Sequence, residues 1–103
     1  MNDSTPPIDG TQFEINVRDM DGMRFVTVSG EVDLSVAETL AEALTGQRVV
    51  VDMTGVTFLD STGTTALLVA LQASETLVLR RSDAVNRLLE LAGVSHLFPA
   101  PEG

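Results

Sequence analysis

The chain has 103 residues, 44 % of them apolar, which suits one domain built around one core. Fifteen acids against six bases leave a formal net charge of −9, a surface that repels nucleic-acid phosphates and anionic membranes and favours a protein partner with a basic patch. All six bases are Arg and Cys is absent, so lysine-dependent chemistry, thiol nucleophiles, disulfides and Cys-based metal sites are excluded.

Residues Met1–Gly10 hold two prolines and no apolar period, and read as a flexible tail. The end, Pro99–Gly103, reads the same way, which leaves a domain over residues 11–98. Phe13–Val17 alternates apolar and polar residues, and Phe25–Val28 follows after Asp21-Gly22. An Asp-Gly pair between two such runs predicts an antiparallel hairpin. Gly30-Glu31-Val32-Asp33 then reads as a loop. Ser35, with Glu38 three residues on, predicts a capping box for a helix over Ala37–Leu44 that stops at Gly46. Val49–Val51 is a continuous β-branched run, the mark of a central strand. After it comes a short connection, and then Ser61, which reads as the N-cap of a helix over Thr62–Ala73. That helix holds few polar positions and is expected to be largely buried. Thr76–Leu79 predicts a further strand, and Ser82 caps a helix from Asp83 to about Ala92 with Gly93 as its stop. Leu97-Phe98 reads as a final short strand. The fold class expected is α/β: a mixed, mainly parallel sheet of four to five strands that starts with an antiparallel hairpin, with three helices packed against it.

Two stretches carry chemistry. The first is Asp60-Ser61-Thr62-Gly63, which follows the carboxyl end of a strand, where α/β proteins present functional groups. A helix mouth there offers backbone N–H groups and the positive end of the macrodipole to an anion. A capping hydroxyl can also be a phosphate acceptor, and Gly63 leaves the backbone open to close approach. The second stretch is Gly30-Glu31-Val32-Asp33, acids ahead of a helix N-terminus.

Together these strings resemble the STAS domain family, and within it the small bacterial anti-sigma factor antagonists. The resemblance covers Phe13 to Phe98. It implies that Ser61 is phosphorylated, that Thr62 is the neighbouring hydroxyl and Gly63 the glycine of the pattern, and that Asp33 lies near Ser61. It implies a partner surface made of Gly30, Glu31, Asp33, Asp60, Thr62, Gly63, Thr64 and Thr65. The function it implies is partner switching without catalysis, cofactor or metal. The unmodified protein binds an anti-sigma factor that is also a serine kinase and so frees the sigma factor. The kinase, with ATP bound to itself, phosphorylates the serine, and a PP2C-type phosphatase reverses the step. Three departures stand out: Thr64-Thr65 replaces Leu-Gly, the connection Gln72–Glu75 is short, and the last helix usual in the family does not follow Phe98. A monomer is expected, with weak self-association through any surface left bare.

Other readings are weaker. Asp52 ends a strand as a receiver's phosphoacceptor would, but receivers need a lysine. Asp60-Ser61 lacks the G-x-S-x-G form of a hydrolase. His96 is alone and reads as structural or exposed. The rival is another kind of STAS module, a non-catalytic adaptor of a stressosome or of a lipid-transport ABC system, in which the hydroxyl positions a partner without being phosphorylated. Nothing resembles a signal peptide or a spanning helix, so a cytoplasmic location is expected.

Overall fold

The computed structural model describes residues 13–99; the tail at Met1–Gly10 and residues 100–103 lie outside them. The order is β1 (Phe13–Met20), β2 (Met23–Val32), α1 (Leu34–Ala43), β3 (Arg48–Leu59), α2 (Ser61–Ala73), β4 (Thr76–Arg81), α3 (Asp83–Leu91) and a 3₁₀ turn at Ser95–Leu97. The four strands form one sheet in the order β1-β2-β3-β4. β1 and β2 are antiparallel; β2, β3 and β4 are parallel.

The hairpin turns on Asp21-Gly22, with φ of 55° and 79°, directly between the paired Met20 and Met23. Both positive φ values belong to a two-residue hairpin turn, and only such residues adopt them cheaply. Alternate residues of the strands then build one face: Val26, Val28, Val49, Val51, Met53, Leu77 and Leu79 are buried, and they form a single cluster with Leu40 and Leu44 of α1, Ala66, Leu67 and Ala70 of α2, and Val85 and Leu89 of α3. All three helices therefore share that face. Arg24 ties α1 to the sheet: its guanidinium pairs with Asp19 at 2.8 Å and donates to the Ala43 carbonyl, at the negative end of α1.

β3 departs from the sequence reading. It runs unbroken for 12 residues, so the connection expected between Val51 and Ser61 is strand. From Thr27 to Val32 β2 takes five steps, while β3 takes seven from Asp52 to Leu59, so two extra residues bulge from β3. The buried positions of β3 are Val49, Val51, Met53, Val56 and Leu59, with the spacing changing from two to three where the bulges sit. The loop expected at Gly30–Asp33 is likewise strand up to Val32. Gly30 has φ +93° beside a bulge, and Gly55 lies so close to β2 that a Cβ on it would stand 2.9 Å from Ser29 Cβ.

The expected strand at Leu97-Phe98 is not formed. Arg81 gathers this segment instead: its guanidinium donates to Ser95 Oγ, the Ser95 carbonyl and the Phe98 carbonyl at 2.6–2.8 Å. Phe98 is thereby drawn into the core, and one bond, from the Leu79 N–H to the Pro99 carbonyl, reaches β4. α3 is as expected, with the Ser82 hydroxyl accepting from the Val85 N–H and Gly93 at φ +77° just past its end.

Candidate functional site

β2 and β3 are parallel and end together: Val32 pairs with Leu59, and the Asp60 N–H donates to the Val32 carbonyl at 3.2 Å. α1 and α2 begin immediately after these strand ends, so two helix mouths open side by side at the carboxyl end of the sheet. Each is closed by an aspartate. Asp33 accepts from the Ser35 N–H at 3.0 Å and from its hydroxyl at 2.6 Å. Asp60 accepts from the Thr62 N–H at 3.0 Å, the Gly63 N–H at 3.2 Å and the Thr62 hydroxyl. The same Asp-x-Ser/Thr turn occurs a third time within β3, where Asp52 accepts from the Thr54 N–H and hydroxyl.

Two expected caps are thereby corrected. Ser61 is the first residue of α2 and Asp60 is its cap. Ser35 lies inside α1, whose cap is Asp33, so no capping box with Glu38 forms. Aspartate wins in both helices because its carboxylate reaches a backbone N–H and the next hydroxyl together, bonds that are strengthened by its charge. The Asp60 carboxyl is held below the ordinary carboxylate range chiefly by the Thr62 hydroxyl; burial opposes this, and the Gly63 and Thr62 N–H groups add to the lowering.

The two mouths share the Asp-x-Ser/Thr turn, and only Asp60 also takes a second N–H, that of Gly63. In each, the middle residue of the turn is the first residue of the helix and is exposed: Leu34 in α1, at 74 %, and Ser61 in α2. Thr65, one turn further on, is exposed, and its hydroxyl donates to the Ser61 carbonyl at 2.9 Å. Glu31, Asp33, Asp60 and Thr62 are partly exposed around them, and so is Gly30. The result is an acidic end with one free-standing hydroxyl.

Gly63 and Thr64 are buried. A Cβ on Gly63 would stand only 2.9 Å from Val32 Cγ1 and closer still to the end of Leu59. This glycine lets α2 settle on the last residues of β2 and β3; it opens no route to a partner. The Thr64 hydroxyl turns inward to the Asp60 carbonyl at 3.3 Å. The N–H groups at the mouth, expected to be open to a phosphate, are bonded to Asp60: Thr62 and Gly63 to its side chain, Thr64 to its carbonyl.

Sequence reading did not single out Leu34 or Phe58, two exposed apolar side chains at this end of the sheet. For Leu34 a signal existed: it directly follows a capping aspartate and stands out of step with the core positions of its helix. His96 is exposed in the 3₁₀ turn. Among the described residues no three His, Asp or Glu side chains gather as a metal site, and no helix is long and apolar enough to cross a membrane.

A family model described as the Mlab, STAS domain matches residues 16–99. A crystal structure of an anti-sigma factor antagonist from Mycobacterium paratuberculosis superposes with a TM-score of 0.76 at 28 % identity, over 89 % of this chain and 88 % of that one. The anti-sigma factor antagonist SpoIIAA, in its unphosphorylated form, superposes with a TM-score of 0.64 at 16 % identity, over 88 % of this chain and 89 % of that one, and supports the fold. No curated protein sequence matches the chain.

Proposed function

The chain belongs to the STAS domain family, and from that premise we propose that it is an anti-sigma factor antagonist, a non-catalytic partner switch toggled by phosphorylation of Ser61. The observation that carries this reading is the exposure of Ser61 as the first residue of α2, at the acidic end where β2 and β3 finish together. The similarity to the mycobacterial antagonist adds to it.

In the unmodified state, Leu34, Ser61, Thr62 and Thr65 form the contact surface, with Glu31, Asp33 and Asp60 facing basic groups of an anti-sigma factor. That partner is also a serine kinase. Within the complex the Ser61 hydroxyl oxygen attacks the γ-phosphorus of kinase-bound ATP. A P–O bond forms to Oγ, the bond to the bridging oxygen breaks, ADP leaves, and the serine proton passes to a base of the kinase. A PP2C-type phosphatase returns the hydroxyl by hydrolysis.

The new group carries a charge of roughly −1.5 to −2. Asp60 already uses the Thr62 and Gly63 N–H groups, so the helix mouth does not absorb the phosphate, which stands outward against the docked partner. Burying an unpaired dianion is far costlier than leaving it wet. Swinging occupancy from mostly bound to mostly free needs about 5.5 kcal/mol, or ~10⁴-fold in affinity. A closed interface over Ser61 supplies a penalty of that order.

A second reading is that of another kind of STAS module, an adaptor of a stressosome or lipid-transport ABC system with a hydroxyl that positions its partner and is never modified; the matching family, the Mlab, STAS domain, names no antagonist. One experiment separates the two. The protein is incubated with ATP and each candidate serine kinase of the host. One phosphate per chain on Ser61, lost in Ser61→Ala, supports the switch. Partner binding with no phosphate transfer supports the adaptor.

A further inference from the structure

α2 begins with a run of hydroxyls, those of Ser61, Thr62, Thr64 and Thr65. All but one are engaged. Thr64 is buried, and its hydroxyl donates to the Asp60 carbonyl at 3.3 Å. Thr62 is partly exposed and donates to the Asp60 carboxylate; Thr65 is exposed and donates to the Ser61 carbonyl at 2.9 Å. Ser61 is exposed, and its hydroxyl has no hydrogen-bond partner among the described residues. Exposure separates Ser61 from Thr62 by degree, whereas the bond to Asp60 separates them in kind. The other two Asp-x-Ser/Thr turns show the same division. Ser35 and Thr54 are exposed, and each gives its hydroxyl to the aspartate two residues before it, at 2.6 and 2.7 Å. The middle residues of those turns are Leu34 and Met53, which have no hydroxyl. Ser61 is thus the one hydroxyl that any of the three turns presents without engaging it.

We propose that Asp60 is a positioning residue that selects the phosphate acceptor: by holding the Thr62 hydroxyl, it leaves Ser61 as the only side chain of this turn able to take the phosphate. The assignment rests on the partner-switch reading given above. Transfer needs a hydroxyl oxygen free to face the γ-phosphorus of ATP and a proton free to pass to the kinase's base, while the new P–O bond forms and ADP leaves. Thr62 meets neither need. Its proton is already directed at the Asp60 carboxylate. That same bond is the largest cause holding the Asp60 carboxyl below its ordinary range, which makes Asp60 a good acceptor and a weak base, so it retains the proton on Thr62 without removing it. A phosphate on Thr62 would also set a dianion in contact with the carboxylate to which the hydroxyl had donated. A phosphate on the Ser61 oxygen breaks none of the bonds of the cap.

The test moves the acceptor. The full chain, Ser61→Ala and the double variant Ser61→Ala, Asp60→Ala are each incubated with ATP and the kinase that modifies the intact chain. Kinase is held at a concentration that saturates each protein, set by titration, and phosphate is located by peptide mass spectrometry. The fold of the double variant is checked by its amide spectrum; if it does not fold, Asp60→Gly takes the place of Asp60→Ala, since glycine is the better cap of the two. The intact chain should carry phosphate on Ser61 alone, and Ser61→Ala should stay at background. The double variant should regain phosphate, now on Thr62, at an initial rate at least about tenfold above that of Ser61→Ala, as release of a charge-assisted hydrogen bond implies. Thr65 should stay unmodified throughout, because its bond to the Ser61 carbonyl does not involve Asp60. Phosphate on Thr62 of Ser61→Ala overturns the assignment, since Asp60 would then withhold nothing. So does a folded double variant that takes no phosphate on Thr62, or takes it equally on Thr65; in each of these cases the partner switch itself stands. No phosphate on the intact chain overturns the partner switch and this assignment together.

Discussion

Removing the Asp60 carboxylate should change the sign of what a phosphate on Ser61 does to stability. In the intact protein Asp60 accepts the Thr62 and Gly63 N–H groups and the Thr62 hydroxyl. Asp60→Ala deletes a helix cap, a loss of about 1 kcal/mol with a range of roughly 0.5–2. For a domain of this size that lowers Tm by about 4–8 °C per kcal/mol. A phosphate added to the intact protein meets a carboxylate one residue away. At about 6 Å in water, two charges against one cost about 1.4 kcal/mol before screening and about half that at physiological salt. Phosphorylation of the intact protein should therefore lower Tm by a few degrees at most. In Asp60→Ala the two N–H groups lie open at the positive end of α2, and a phosphate there gains about 0.3–1 kcal/mol. Phosphorylation should then raise the Tm of the variant. Four melts read this: each protein with Ser61 unmodified and with phosphoserine placed there by kinase treatment or by genetic incorporation. Equal upward shifts in both proteins would refute the reasoning, because the anion site would then be open despite Asp60.

Ser61→Ala should bind the anti-sigma factor constitutively and resist release by ATP, whereas Ser61→Asp should keep the native melt yet bind much more weakly; calorimetric titration with and without ATP reads both. Stability should fall in acid. Asp19 is held below the ordinary carboxylate range by Arg24, Asp52 by the Thr54 hydroxyl, and Asp60 by the Thr62 hydroxyl. A group with a lowered folded pKa contributes fully above its unfolded value, about 4, and loses that contribution as pH falls through the folded value. Urea unfolding from pH 7 to pH 2 should show the gap between native protein and Asp60→Asn closing below about pH 4; a constant gap would mean that ionised Asp60 contributes nothing. Gly63→Ala should destabilise by about 1–3 kcal/mol from overpacking against Val32 and Leu59, less about 1 kcal/mol regained in helix propensity; a more stable variant by urea unfolding would show that α2 can slide on the strand ends.

The hairpin was legible because Asp21-Gly22 is a local signal with one geometric solution. α3 was legible for a similar reason: Ser82 has no competing aspartate before it, and Gly93 ends the helix. β3 was half legible. Its apolar period is two as far as Met53 and three from Met53 to Leu59, and no strand template contains a spacing of three. The extra residues exist only relative to β2, so a single segment cannot reveal them. The caps failed on a close choice. Asp60 and Ser61 are equally good caps by type, and what decides is the bond from the Asp60 N–H to the Val32 carbonyl, which keeps the chain extended through Leu59 and delays the helix by one residue. That tertiary bond frees Ser61 from capping. The site's residue types were thus visible in the string, and their roles depended on how β2 and β3 end together.

The matched helix mouths suggest where the partner's grip lies. The two Asp-x-Ser/Thr turns hold Leu34 and Ser61 in equivalent positions on neighbouring helices, and a serine alone offers little area to a docking protein. Leu34 is 74 % exposed, so it contributes little to folding, and Leu34→Ala should move Tm by no more than about 4 °C. If docking covers the Ser61 end, it covers Leu34 as well, and full burial of a leucine is worth about 1.5–3 kcal/mol. Truncation to alanine should then weaken the anti-sigma factor complex by roughly ten- to a hundredfold, mostly through faster dissociation. Phosphoryl transfer to Ser61 should slow in proportion at subsaturating protein and recover at saturation, because the hydroxyl and its cap are untouched. Native affinity in Leu34→Ala would place the interface on the far side of Ser61, toward Thr65, and would remove α1 from the contact surface.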